Sequence, residues 1–225
     1  MTDQPAFAVN AINLASARLG ATAIYATDDF FADKQRMLLD HPAVFITDKY
    51  DENGKWMDGW ESKRRRQGGH DYCIVKLGAR GVIRGVDIDT SHFTGNFPPA
   101  AAIEACISAT PPDDKTVWTP ILPAVSLGPS AHHFHAIDSA EAWTHLRLHI
   151  YPDGGVARLR VYGEPIPAWE GKDKNAEHEL SLATNGGRII AYNDAHYGSV
   201  WTMLLKGRGI NMGDGWETRR RREPG

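Results

Sequence analysis

The feature that most constrains this chain is a nine-residue segment that occurs twice. DGWESKRRR at 58–66 returns as DGWETRRRR at 214–222, 156 residues further along, with only Ser/Thr and Lys/Arg exchanges. Weaker matches precede both copies in the same order: LA at 14–15 and 182–183, ATDD at 26–29 and AYND at 191–194, and MLL at 37–39 and 203–205. A period this long indicates a duplicated domain rather than a solenoid of short repeats.

The duplication predicts how the chain is divided. Strand-like sequence follows the first copy of the segment, whereas only residues 223–225 follow the second. We therefore expect a complete first repeat over 1–167, a linker over 168–178 and the beginning of a second repeat over 179–225. A repeat that lacks its strands cannot cover its own apolar face or satisfy its backbone hydrogen bonds. Either the second repeat is truncated, which we favour, or the first repeat or another subunit supplies the missing surface.

Composition and charge exclude several classes of protein. The 25 Lys and Arg against 28 Asp and Glu give a net charge of −3, and 42% of residues are hydrophobic. These values exclude global disorder and leave no basic excess for a nucleic-acid partner. The start lacks a secretory signal, and no apolar run is long enough to span a membrane. Cys73 and Cys106 lie in apolar surroundings typical of buried thiols. We expect a cytoplasmic protein without a membrane partner.

Most of the first repeat shows the alternation typical of β-strands. HDYCIVKLG at 70–78 places Cys73, Val75 and Leu77 on one face, and VIRGVDIDTSHF at 82–93 continues the alternation after a predicted turn over 78–81. The segment 143–163 predicts a hairpin around the turn PDGG at 152–155.

One helix is predicted after Thr27 or Asp28 as N-cap, with Phe30, Phe31, Met37 and Leu38 facing a core. Short strands separated by turns, with few helices, favour a mainly β protein built as a β-sandwich.

Three segments resemble one known family. The sequence over 58–99, the segment YPDGGVARLRVYGEP at 151–165 and the second copy at 214–222 are similar to the allantoicase (allantoate amidinohydrolase) family, from about Asn13 to the C-terminus. The resemblance implies tandem jelly-roll, galactose-binding-like β-sandwich domains, the second incomplete here. It also implies a hydrolase that converts allantoate and water to (S)-ureidoglycolate and urea in allantoin and purine degradation.

Allantoate carries a carboxylate and two ureido groups on one carbon. Its site needs guanidinium donors for the carboxylate, and an acid or base to protonate departing urea and activate water. The repeated segment offers both kinds of group. We predict Glu61 as an acid or base, and as substrate-binding or interdomain contacts the following residues: Arg64, Arg65, Arg66, Glu217 and Arg220. The alternative is a solvated basic loop in which Glu61 is a local ion-pair partner.

A second group of candidates stands at the end of the strand over 82–90. Asp87 and Asp89 share one strand face, and His92 follows, so these three residues are further acid or base candidates. Asn96 is a candidate to donate its amide to a ureido carbonyl. The alternatives are that Asp89 caps a turn, that His92 packs against Phe93 and that Asn96 holds a tight turn.

No cofactor is required by the sequence, and no metal site is predicted. The run HHFH at 132–135 suggests zinc, but no Cys or carboxylate stands at the spacing of a structural site. A divalent metal and a homo-oligomer stay open. We interpret His145, Arg147 and His149 as surface residues.

The rival hypotheses to an enzyme acting on a small molecule are a non-catalytic ligand-binding sandwich and an inactive truncated allantoicase. An exposed ledge of tryptophan would favour the ligand-binding sandwich.

Overall fold

The structure, a computed structural model, describes residues 4–222 and divides into two compact units between Glu164 and Pro165. The first unit is almost entirely β-structure and begins with the five-residue helix α1 (Ala6–Asn10). Its strands are β1 (Ile12–Asn13), β2 (Thr22–Ala26), β3 (Tyr50–Asp51), β4 (Gly54–Lys55), β5 (Trp60–Glu61), β6 (Asp71–Asp89), β7 (Ala100–Cys106), β8 (Thr119–Ser126), β9 (Phe134–Ala136), β10 (Ala142–Tyr151), β11 (Gly155–Val156) and β12 (Arg158–Pro165).

Strand β6 connects the two layers of the first unit. Its first half pairs with β2 and β10, and β10 continues through β7 to β8. Its second half pairs with β9 and lies beside β12, which pairs with β1. The apolar side chains of both halves are buried, among them Val75 and Ile88 at 0% exposure. The first unit is therefore a β-sandwich, as the alternation predicted.

The two ends of β6 meet at the same edge of the sandwich. A straight strand of 19 residues would hold its ends about 60 Å apart. However, Asp71 lies opposite Ile150, and the Asp89 carbonyl accepts the Ala157 amide at 2.8 Å. Seven residue steps join Ile150 to Ala157, which is at most about 25 Å of chain. Residues at the start and the end of β6 can therefore contribute to one site.

The predicted turn over 78–81 is wrong, because these residues belong to β6. The pairing of β6 with β10 is irregular there, since Gly81 lies opposite Trp143 whereas Lys76 lies opposite His145. The two glycines there are required by close packing instead. A Cβ on Gly78 would stand 2.8 Å from the Leu19 carbonyl carbon, and one on Gly81 would stand 2.7 Å from the Glu164 carbonyl oxygen. Glycine thus allows β6 to pass close to neighbouring backbone where it changes layers.

The predicted hairpin over 143–163 is also wrong. In the sheet order β6 lies between β10 and β12, so these two strands are not partners. The PDGG segment leads instead into β11, which pairs with β5 of the first DGWE copy. The alternation itself is confirmed, since Leu146, Leu148, Ile150, Leu159 and Val161 are all 0% exposed.

The predicted helix is a short 3₁₀ helix over Lys34–Leu38, and its N-cap is Asp33 rather than Thr27 or Asp28. Asp28 is occupied otherwise. Its carbonyl accepts the Trp60 indole N–H at 2.8 Å, and its side chain accepts the amide of Lys63. The expectation of a core-facing side is confirmed for Met37 and Leu38, which are fully buried, but it is wrong for Phe30, which is 42% exposed, and Phe31 is only half-buried.

A buried ion pair fixes the first DGWE copy to β12. Arg158 is 0% exposed and donates from Nη2 to Asp58 Oδ2 at 2.7 Å and from Nη1 to the Asp58 carbonyl at 2.9 Å. The Val44 amide donates to the same Asp58 oxygen at 3.0 Å. Removing one partner of such a pair typically costs about 3–5 kcal/mol of stability.

The second unit repeats the local structure of the first, with an offset of 166 residues at its 3₁₀ helices and of 156 residues at the DGWE copy. Its 3₁₀ helices, Ala183–Asn185 and Val200–Leu204, correspond to Ala17–Leu19 and Lys34–Leu38. The MLL match is therefore confirmed, whereas LA at 14–15 and 182–183 are not counterparts. Beyond β12, residues 166–222 hold no strand, and Trp216 is 41% exposed.

The hydrogen bonds around the second DGWE copy reproduce those of the first. The Trp216 indole donates to the Asp194 carbonyl at 2.7 Å, and the Arg219 amide to the Asp194 carboxylate at 2.6 Å. Trp60 and Lys63 make the same bonds to Asp28. The repeated sequence thus encodes one local loop structure twice.

Replacing Gly81 with alanine tests the close approach at the bend of β6. The new Cβ would meet backbone that cannot move freely, so we expect the free energy of unfolding to fall by about 1–3 kcal/mol. Gly68→Ala is the matched control, because nothing lies within 4 Å of its Cβ position. Chemical denaturation measures both variants, and equal stabilities would contradict the packing argument.

Candidate active site

Glu61 and Asn96 form the first part of the site at the loop edge of the sandwich. The pairing of β5 with β11 places Glu61 opposite Gly155, and the Asn96 carbonyl accepts the Gly155 amide at 2.8 Å. Glu61 is 9% exposed, and its Oε1 accepts the Asn96 amide N–H at 2.7 Å. Burial raises the pKa of Glu61, and the hydrogen bond from Asn96 partly opposes this. A carboxyl with a raised pKa is suited to general acid catalysis.

The arginine run follows directly, and its members differ in their contacts. The Arg65 amide donates to Asp153 Oδ2 at 2.7 Å, and its Nη1 lies 3.3 Å from Asp71 Oδ1 at the start of β6. Arg64 and Arg66 are exposed. Arg65 is thus held at both its backbone and its guanidinium, while its neighbours present charge to solvent.

Asp87 and Asp89 are brought together with an imidazole, but that imidazole is His132. Both carboxylates are buried, and His132 Nδ1 donates to Asp87 Oδ2 at 2.7 Å while lying 4.0 Å from Asp89 Oδ2. The hydrogen bond to Asp87 raises the pKa of His132, with further support from the charges of Asp87 and Asp89 and opposition from burial and Arg160. The side chain is 47% exposed. Its Nε2 can therefore exchange protons as a carboxylate-oriented base or acid.

His92 makes other contacts than those expected. Its Nε2 donates to the Ala43 carbonyl at 3.1 Å, and its ring stacks on Phe45 at 5.8 Å between centroids. Asp89 Oδ1 accepts the Ser91 amide at 2.7 Å, which is the turn-capping alternative. The structure thus replaces His92 by His132 beside the two carboxylates. His132 is the first residue of the HHFH run, which the sequence alone indicates only as a metal motif.

The HHFH run does not form a metal centre with the residues present. Both ring nitrogens of His133 bond backbone, since Nε2 accepts the Gly128 amide and Nδ1 donates to the Ile88 carbonyl, each at 2.8 Å. Within residues 4–222 no group of three or more His, Cys, Asp or Glu side chains is arranged to hold a metal ion.

The interpretation of His145, Arg147 and His149 as surface residues is wrong. His145 is 3% exposed. Glu104 on the neighbouring strand β7 accepts from Arg147 Nε and from His149 Nε2, each at 2.8 Å. The Arg147 guanidinium also lies 4.5 Å from the ring centroid of Trp118. Glu104, Arg147 and His149 therefore form a hydrogen-bonded network across β7 and β10.

The candidates in the second unit lie in its own exposed loop. Glu217 and Arg220 are exposed there and correspond to Glu61 and Arg64 of the first DGWE copy. The Glu217 backbone bridges to Gly198, as the Glu61 backbone bridges to Ala32.

The fold and the site define a protein with a β-sandwich, a duplicated DGWE loop, and carboxyl, imidazole and guanidinium groups at one sandwich edge. The Allantoicase repeat family matches residues 12–166 and 178–225. The chain therefore belongs to the allantoicase family. It is 57% identical over 222 residues to "Probable allantoicase 1" of Burkholderia mallei, and 58% identical over 214 residues to "Probable allantoicase" of Ralstonia nicotianae. These alignments cover 98% and 95% of the chain.

The solved structures agree with this assignment. The crystal structure of allantoicase from Saccharomyces cerevisiae matches 97% of this chain with a TM-score of 0.78 and 33% sequence identity, and the match covers 66% of that protein. The mainly β fold that the resemblance implied is confirmed. The chain spans 66% and 64% of the length of the Burkholderia and Ralstonia relatives. In residues 4–222 no helix is long and apolar enough to cross a membrane.

The contact between His132 and Asp87 predicts a titration. The pKa of His132 should lie above the ordinary value near 6.5, and Asp87→Asn should lower it. The contact's contribution to stability is then complete below pH 6.5 and lost as the pH rises through the raised pKa. An NMR titration of the imidazole signals measures this shift. His135, whose pKa is lowered by burial, is the internal control, and equal pKa values for both would contradict the prediction.

Proposed function

We propose that this chain acts in the hydrolysis of allantoate to (S)-ureidoglycolate and urea, in allantoin and purine degradation. The observation that carries the proposal is the buried carboxyl of Glu61, whose pKa is raised by burial. This carboxyl accepts the Asn96 amide and is followed by the arginine run, in a chain that belongs to the allantoicase family. An acid, an amide donor and a guanidinium are the groups that allantoate requires.

Each group has a role in the proposed reaction. Arg65, with Arg64 and Arg66 beside it, binds the allantoate carboxylate, and Asn96 donates to a ureido carbonyl. Glu61 gives its proton to the departing urea nitrogen as the carbon–nitrogen bond breaks.

Water supplies the oxygen that replaces urea at the central carbon, and its proton passes to a base. We assign that base to His132, which Asp87 and Asp89 orient. The hydrogen bond from the Ala157 amide to the Asp89 carbonyl supports this assignment, because Ala157 is two residues from Gly155, the partner of Glu61. His92 stays a further candidate acid or base at this edge, and Glu217 and Arg220 are proposed as substrate contacts.

The remaining properties belong to the same proposal. We propose a cytoplasmic enzyme that acts on a small molecule, needs no cofactor and has no nucleic-acid or membrane partner. A homo-oligomer is compatible with it. If a divalent metal took part instead, treatment with a chelator would abolish urea release and added metal would restore it.

The non-catalytic ligand-binding alternative is disfavoured by where the tryptophans lie. Of the tryptophans in the described part of the first unit, Trp60 and Trp143 are buried and Trp56 and Trp118 are half-buried. The Trp118 ring also faces the Arg147 guanidinium. The exposed tryptophan ledge that would favour such a protein is therefore not found in residues 4–164.

The Glu61→Gln variant tests the proposed acid. It keeps the size and the acceptor oxygen for Asn96 but removes the transferable proton, so we expect kcat for urea release from allantoate to fall about 10²–10⁴-fold. Glu164→Gln is the matched control, because Glu164 pairs with Arg84 at an exposed position, and it should keep the wild-type rate. Equal rates for all three proteins would contradict the role of Glu61.

The same assay should compare this chain with a version that carries a complete second repeat. Urea release from neither protein would contradict the proposed function. Release from the longer protein alone would assign activity to the two-repeat form and support the alternative that this chain is an inactive truncated allantoicase.

A further inference from the structure

Asp71 is a buried carboxylate that is only half satisfied. It is 1% exposed, and its Oδ1 accepts from the Thr27 hydroxyl at 2.8 Å and from Arg65 Nη1 at 3.3 Å. Its Oδ2 is equally buried but has no hydrogen-bond partner among the described residues. Leaving a buried charged acceptor without a hydrogen-bond donor lowers stability. A ligand that donates a hydrogen bond to this oxygen would satisfy it.

The contrast with Asp58 shows that Asp71 is not an ordinary structural carboxylate. Both are buried beside an arginine. Asp58 Oδ2 accepts from Arg158 Nη2 at 2.7 Å and from the Val44 amide at 3.0 Å, and Arg158 is itself fully buried. The arginine of Asp71 is partly exposed and more distant, with 33% of its side chain accessible.

The donors of Arg65 are open on the side away from Asp71. Among the described residues only its Nη1 makes a side-chain hydrogen bond, to Asp71, and a Cβ on Gly69 would stand at ordinary contact distance from Nε and Nη2, 3.9 and 4.0 Å away. Its backbone is fixed by Asp153. A guanidinium with free donors and a carboxylate oxygen without a donor therefore lie side by side.

We propose that Asp71 Oδ2 accepts a ureido N–H of the ligand while Arg65 binds the ligand's carboxylate. The site then selects ureido acids, in which a carboxylate and N–H donors lie a few bonds apart. The assignment deepens the proposed function and rests on it for the identity of the substrate. Since Oδ2 is closed to solvent, the ligand reaches it only when the residues covering Asp71 give way, while the contact with Asp153 keeps the Arg65 backbone in place.

Two small probes of matched shape test this assignment without catalysis. Ureidoacetate has a carboxylate and ureido N–H donors, whereas acetoxyacetate has the same skeleton with an ester and no N–H. A hydrogen bond to a charged acceptor is worth about 1.5–3 kcal/mol, so the wild-type chain should bind ureidoacetate about 10–100-fold more tightly. Isothermal calorimetry or ligand-observed NMR measures both dissociation constants.

Asp71→Asn should remove most of this preference, because the amide takes away the charged acceptor. Arg65→Gln should weaken both probes, since it removes the carboxylate contact. Glu164→Gln should bind both probes as the wild type does. Thermal unfolding shows whether Asp71→Asn is folded. If it is not, the preference of the wild-type chain for ureidoacetate over acetoxyacetate decides the test.

The proposal is overturned if the wild-type chain binds neither probe or binds both equally. It is also overturned if a folded Asp71→Asn variant keeps the full preference. If Asp71→Asn loses the preference while the wild-type chain releases no urea from allantoate, the ligand assignment is supported and the proposed reaction is contradicted. The two proposals can therefore fail separately.

Discussion

The single constraint on which the rest depends is the passage of β6 through both layers of the sandwich. Because the strand bends at Gly78 and Gly81 rather than ending there, Asp71 and Asp89 come to the same edge although 18 positions separate them. Asp87 and Asp89 stand on β6, Arg65 and His132 contact carboxylates of β6, and Glu61 stands on β5, which pairs with β11. A break in this strand would separate the arginine run from the Asp87–His132 pair.

The buried carboxyl groups at this edge differ in how well they are satisfied. Asp58 is fully engaged by Arg158 and fixes the DGWE loop, so its contribution is to stability. Glu61 has one amide partner and a raised pKa, and Asp71 has one oxygen with no partner. Because unsatisfied buried charge lowers stability, groups of this kind are retained where a ligand or a reaction uses them. This difference separates the anchoring carboxylate from the candidate catalytic and binding ones.

Part of the site could be predicted from sequence, and part could not. The duplicated segment identified Glu61 and the arginine run, because a chemical pattern repeated in one chain needs no structure to be seen. His132 was missed, since the His92 prediction relied on nearness in sequence whereas β9 reaches Asp87 from 45 positions away. Asp71 was missed because its sequence position looks like an ordinary inward strand residue.

The sequence by itself determined the β-class, the inward and outward faces of the strands, the duplication and the family, because these follow from local periodicity and from repeated motifs. Tertiary structure alone decided which strands are neighbours, that the residues over 78–81 continue a strand, and which imidazole faces Asp87. The physical reason is that side-chain alternation is a property of a few adjacent residues. Strand pairing and the satisfaction of a buried carboxylate depend instead on contacts between distant parts of the chain.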